Sequence, residues 1–107
     1  MLEAGHFDLE RLDVFRLALE VAQWVRKARW ESGDASLRDQ TRRATESVVL
    51  NLAEGLGMSG ASRRRHFVIA LGSASEAAAA LLLADLPGTA AQVQKLRRVN
   101  IMLRRLP

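Results

Sequence analysis

Three short breaks rich in Gly, Ser and Pro divide this chain into four runs, and each run repeats its apolar residues at steps of three and four. That period belongs to helices, and no window sustains the alternation of a strand. In the first run Leu9, Leu12, Phe15, Leu19, Ala22 and Val25 or Arg26 form one stripe, predicting a helix over about 9–31. Ser32-Gly33-Asp34 then interrupts it. Gly33 offers a left-handed cap, and Asp34 or Ser36 can accept the free N–H groups of a second helix over about 37–56. Gly55, Gly57, Ser59 and Gly60 form the next break, with Ser59 or Ser62 as N-cap of a third helix over about 63–86. Pro87 ends that helix and Thr89 starts a fourth over about 90–106, which puts Val93, Leu96, Asn100 or Ile101, and Leu103 on one side. Loops this short make consecutive helices antiparallel neighbours. The expected fold is therefore all-α, an antiparallel up-down-up-down four-helix bundle. At 107 residues, residues 1–107 form a single domain with one modest core.

Several kinds of chemistry drop out early. With no Cys, disulfides and thiolate metal sites are excluded. The imidazoles are His6 and His66, and His66 has no carboxylate or second His at the spacing that a metal site on one helix uses. No metal and no cofactor is expected. Gly55, Gly57 and Gly60 superficially fit G-x-G-x-x-G, but that phosphate-binding fingerprint follows a strand, and here a helix precedes it. The start, MLEAGHFDLERL, has neither the basic residues nor the apolar run of a signal peptide. The longest apolar run, Ala77 to Ala84, falls far short of the roughly 20 residues that span a bilayer. A cytoplasmic protein with no membrane partner is the expectation.

Helices two and three each carry a polar line beside the apolar one. At 100° per residue, Gln40, Arg43, Ser47, Asn51 and Glu54 share a face next to Leu37, Ala44, Val48, Leu52 and Leu56. On helix three, Ser62, Arg65, Ile69, Ser73 and Glu76 align opposite Phe67, Leu71, Ala74, Ala78 and Leu81. A face kept for water favours long charged side chains, whereas Ser, Asn and Gln pair well when half-buried against another helix or subunit. Gly72 beside Ser73 lets a second backbone come close. These lines read as an oligomer interface: Gln40, Arg43, Ser47, Asn51, Glu54, Ile69, Gly72, Ser73 and Glu76. Glu54 and Glu76 lack the Glu-x-x-His partners of a carboxylate-bridged metal bundle, so pairing with Arg43 or Arg65 is expected and catalysis is not.

Charge is placed unevenly. Residues 86–107 hold Lys95, Arg97, Arg98, Arg104 and Arg105 with no acid, which leaves the first 85 residues at −1 of the net +4. Arg63, Arg64 and Arg65 fall in a helix's first turn, where the dipole disfavours cations and a compensating anion is needed. An acid from helix two or a nucleic-acid phosphate would serve. Trp24 and Trp30 do not interleave with the basic clusters and read as packing residues.

The run QTRRATESVVLNLAEGLG, followed by SRRRHFVIALGSASEAAAALLLA, resembles the four-helix-bundle family encoded in intervening sequences of bacterial ribosomal RNA genes, a pattern that includes accessory proteins of diversity-generating retroelements. The marks are Q-x-R-R-A-x-x-S, N-I/L-A-E-G and I-A-x-G-S-x-x-E, matched by Gln40, Arg42, Arg43, Ala44, Ser47, Asn51, Ala53, Glu54, Gly55, Ile69, Ala70, Gly72, Ser73 and Glu76. The opening E-R-L-D-V-F-R-L-A is similar to the family's first helix. The resemblance implies a homopentamer forming a ring or barrel, no enzymatic activity and, in the retroelement branch, binding of nucleic acid and a reverse transcriptase through a basic surface. The combined expectation is a non-enzymatic homo-oligomer that binds RNA or DNA electrostatically through Arg63, Arg64, Arg65, Lys95, Arg97, Arg98, Arg104 and Arg105. The alternative is an assembly or scaffold protein whose arginines meet acids across subunits.

Overall fold

The computed structural model describes residues 9–106 as four helices, α1 (Leu9–Lys27), α2 (Ala35–Leu56), α3 (Gly60–Ala84) and α4 (Thr89–Arg105), with one 3-10 turn at Ser32–Asp34. His6 lies outside the described residues. Partners across α2 and α3 run in opposite directions. Along α2 and α3, Gln40 meets Glu76, Ser47 meets Ser73, and Asn51 meets His66. Arg26 of α1 pairs with Glu46 of α2, and Glu20 of α1 with Lys95 of α4. The helices thus form an antiparallel bundle that closes on itself, α4 lying back against α1.

The core is one cluster drawn from all four helices, with Val14, Val21, Val48, Leu52, Leu81, Leu96 and Val99 completely or nearly completely buried. Each such aliphatic side chain contributes about 1.5–3 kcal/mol relative to exposure. On α3 the core line is Phe67, Ala70, Ala74, Ala77 and Leu81. Its alanines let α3 sit close to its neighbours. Thr41 and Thr45 are also buried, and their hydroxyls bond back to the carbonyls of Leu37, Thr41 and Arg42. A buried hydroxyl satisfied by its own helix costs little.

The stripe expected for α1 is rotated from the observed one. Val14, Leu17, Ala18, Val21, Ala22 and Val25 are buried, Phe15 and Leu19 half-buried, and Leu12 exposed. Both stripes keep steps of three and four, and what decides is that α1 contacts α2 and α4 at once. On α3, Ala70 and Ala77 take the inner positions while Leu71 and Ala78 are half-buried. On α4, Gln92 and Val99 join Leu96 and Leu103 inside, and Ile101 stays exposed.

Helix ends differ from expectation for local reasons. α1 stops at Lys27, four residues early, because the Trp30 indole N–H folds back to donate to the Val25 carbonyl at 3.4 Å. That bond supplies one of the carbonyls a helix C-terminus leaves unpaired. Asp34 and Ser59 are the N-caps of α2 and α3, and neither side chain bonds the helix. Asp85, not a glycine, takes the left-handed cap of α3 with φ 49°. Gly88, with φ 91°, then turns the chain into α4.

Candidate nucleic-acid interface

α2 ends where α3 begins, at the same end of the bundle as the C-terminus of α4. Arg63 belongs to the structure of that corner. Its Nε donates to the carbonyls of Gly55 (3.1 Å) and Met58 (2.7 Å). The anion that this cation needed is therefore the partly negative C-terminal end of α2.

α3 starts at Gly60, three residues before the expected start, so Arg64 and Arg65 fall in its second turn and not its first, and both are exposed. Among the described residues, no carboxylate lies within ion-pair distance of either. Beside them, Arg104 and Arg105 occupy the last turn of α4, where a helix C-terminus stabilises a cation by about 0.3–1 kcal/mol. Arg104 Nε donates to Asn100 Oδ1 at 2.8 Å, which holds the guanidinium along the helix. Arg97 and Arg98 lie about two turns back along α4, exposed and without an acid partner among the described residues. Lys95 is different: its Nζ sits 3.3 Å from Glu20 Oε1. Glu20 also accepts from Arg16 at 2.8 Å, and these cations, Arg16 foremost, hold its carboxyl below the usual carboxylate range.

The polar lines of α2 and α3 face each other within one protomer. Ser47 and Ser73 hydroxyls lie 2.7 Å apart, and Asn51 Nδ2 donates to the Ser47 carbonyl at 2.9 Å. His66 Nδ1 donates to Asn51 Oδ1 at 3.0 Å, and its Nε2 lies 3.5 Å from Glu54 Oε2. Gln40 reaches Glu76 at 3.5 Å. The pairing of Glu54 and Glu76 with Arg43 or Arg65 is therefore corrected: the antiparallel register puts His66 and Gln40 opposite these acids. Arg43, Ile69 and Gly72 point outward, and a Cβ on Gly72 would meet nothing within 4 Å. His66 is a member of this ladder that spacing along one helix does not reveal. No group of three or more metal-ligating side chains occurs among the described residues.

The outward side of α3 that holds Ile69 and Gly72 is more apolar than the polar line alone implies. Val68, Ile69, Leu82 and Leu83 are exposed on α3, Leu83 by 77%. α3 has a stretch of mean hydropathy 1.9, long and apolar enough to cross a membrane, yet only 33% of it is buried in the protomer. The signal was available, since a wheel of residues 67–84 has apolar residues on every side.

The family model described as 23S rRNA-intervening sequence protein matches residues 10–100. No curated protein and no solved structure matches the chain.

Proposed function

This chain belongs to the 23S rRNA-intervening sequence protein family, and we propose that it acts without catalysis, as a homo-oligomeric helical bundle that binds nucleic acid by charge. The observation that carries this reading is the group of exposed arginines at one end, Arg64 and Arg65 beside Arg104 and Arg105. Two of them, Arg64 and Arg65, stand just past the first turn of α3, on its positive end and without a carboxylate among the described residues, so an anion there meets cations that nothing in the protomer neutralises. A phosphate there meets guanidinium groups and the free N–H groups of α3 together. Arg97 and Arg98 extend the surface along α4. Recognition is of the backbone, so sequence preference is weak.

The copies meet through the outward face of α3, where Val68, Ile69, Leu82 and Leu83 flank Gly72 and Ala79. Lipid is a poor occupant of that face: the opposite side of α3 holds the core, and α2 and α4, rich in charge, cannot follow it into a bilayer. Five copies is the number the family resemblance implies. In the retroelement branch the protein partner is a reverse transcriptase.

Generic duplex and single strand, titrated over a range of salt, test the binding. Each phosphate neutralised contributes about −0.9 to the slope of log K against log salt on duplex. Replacing Arg64, Arg65, Arg104 and Arg105 by Ala lowers that slope by up to about 3–4, whereas Lys95→Ala, already paired to Glu20, leaves it nearly unchanged. Sedimentation of the free protein gives a multiple of 11.8 kDa, reduced by Leu82→Glu with Leu83→Glu. Absence of binding at low salt refutes the reading and leaves an assembly protein.

A further inference from the structure

The other end of the bundle carries an open pocket of about 250 Å³ lined by Trp24, Lys27, Ala28, Arg29, Leu86 and Pro87. Its Trp24 wall is held in place. The Nε1–Cε2–Cζ2 edge of the Trp24 indole lies against Gly88, where a Cβ would come within 3.0 Å of Cζ2. Gly88 and Asp85 both hold left-handed backbone, which sets the Leu86-Pro87 turn beside the indole. Lys27 and Arg29 are exposed and have no carboxylate within ion-pair distance among the described residues. Neighbouring Asp85 pairs with neither. Trp30 does not line this pocket; its N–H donates to the Val25 carbonyl.

An indole walled by aliphatic groups, with two free cations within five residues, suits a flat ring attached to an anion. The pocket is smaller than the roughly 300–1,000 Å³ that drug-sized ligands occupy, so it admits one ring system. We infer that it holds one nucleotide of single-stranded nucleic acid, the base against Trp24 and the phosphate at Lys27 and Arg29. A base in a duplex is already stacked and cannot enter. This inference rests on the nucleic-acid reading above and adds to it a strand preference that the arginine end alone does not confer. Base-on-aromatic stacking beside a cationic track is the general means by which single strands are held without sequence reading.

The test uses the full chain with Trp30→Phe, so that Trp24 is the sole indole. A labelled oligothymidylate is followed by anisotropy, and Trp24 emission is read in the same titration. Saturable quenching by the single strand and none by a duplex of equal length is the expected result. Lys27→Glu with Arg29→Glu, both at the surface, weakens the quenching titration roughly tenfold with an unchanged far-ultraviolet dichroism spectrum. Strand binding with unaltered Trp24 emission, or quenching indifferent to the charge reversal, overturns the pocket and leaves the arginine end standing. No strand binding at low salt overturns both.

Discussion

Gly55 is a position where two familiar effects of one methyl group oppose each other. It is the penultimate residue of α2, and in an open helix Gly→Ala gains up to about 1 kcal/mol. Here an alanine Cβ would stand 2.6 Å from Phe67 Cε1, 2.7 Å from Cδ1 and 3.3 Å from His66 Cβ. The ring cannot simply turn away, because Phe67 is only 7% exposed and belongs to the core cluster. Forcing an extra methyl into such packing costs about 1–3 kcal/mol, occasionally more. The clash wins, and Gly55→Ala destabilises by about 1–2 kcal/mol, a fall in Tm of roughly 5–15 °C for a domain of this size. Gly57 is the internal control. It has φ −86° and ψ 0°, and its added Cβ would meet only carbonyl oxygens at 3.6 and 3.8 Å. Gly57→Ala is therefore neutral or stabilising by about 0.4–1 kcal/mol, through loss of unfolded-state freedom. Thermal unfolding followed by circular dichroism, at one protein concentration, reads both. Phe67→Leu should offset part of the Gly55→Ala cost when the two are combined, a departure from additivity expected of touching residues. A Gly55→Ala protein as stable as the parent, or a Gly57→Ala protein that falls as far, refutes the reasoning.

Asn51→Ala removes the centre of the α2–α3 ladder and leaves Ser47 and His66 short of a partner. The expected cost is about 1 kcal/mol, the loss of half-buried hydrogen bonds less the better helix propensity of alanine. Gln40→Ala, which touches only the exposed end of the ladder at 3.5 Å, changes stability by under about 0.5 kcal/mol; urea unfolding separates the two. Glu20→Gln tests the Arg16–Glu20–Lys95 contact through pH. The folded carboxyl titrates below its unfolded value, so its stabilisation is complete above the unfolded value and disappears as pH falls through the folded one. The stability gap between the parent and Glu20→Gln should be level above about pH 5 and close on further acidification. A gap that widens toward acid contradicts the assigned partners.

The division into four helices was legible because Gly, Ser and Pro cluster at the three corners and nowhere else does the three-and-four spacing lapse. Rotation of α1 was not legible, since Leu12-Phe15-Leu19 and Val14-Leu17-Val21 obey the same period, and only the positions of α2 and α4 select between them. Its early stop was hidden for a similar reason. Trp30 caps α1 through its side chain, and nothing in RKARWES marks that as a helix end. The family marks in α2 and α3 were readable residue by residue, but their geometry was not. A wheel drawn for one helix shows that Ser47 and Asn51 share a face, yet it cannot say that Ser73 and His66 stand opposite them. For Arg63 the sequence pointed to an acid or a phosphate, whereas its partners are the Gly55 and Met58 carbonyls, partial charges that no residue letter records.

That last point separates the cations by role. Arg63 and Lys95 are satisfied within the protomer, by carbonyls and by Glu20, so their loss should act on folding. Arg64, Arg65, Arg97, Arg98 and Arg105 lack acid partners among the described residues, and their loss should act on whatever anion the protein meets. The same division applies to α3. Its inner line of Phe67, Ala70, Ala74, Ala77 and Leu81 is committed to the core, while Val68, Ile69, Leu82 and Leu83 on the other side cover nothing in one copy. An exposed Leu83 alone would be ordinary, but four large aliphatic residues on one side of one helix, in two pairs with Gly72, Ser75, Glu76 and Ala79 between them, leave an unpartnered face. Unpaired arginines at one end and bare aliphatic side chains along one flank are the two surfaces on which the proposed function rests. Covering the flank with another copy of the chain leaves the cationic end free for phosphate.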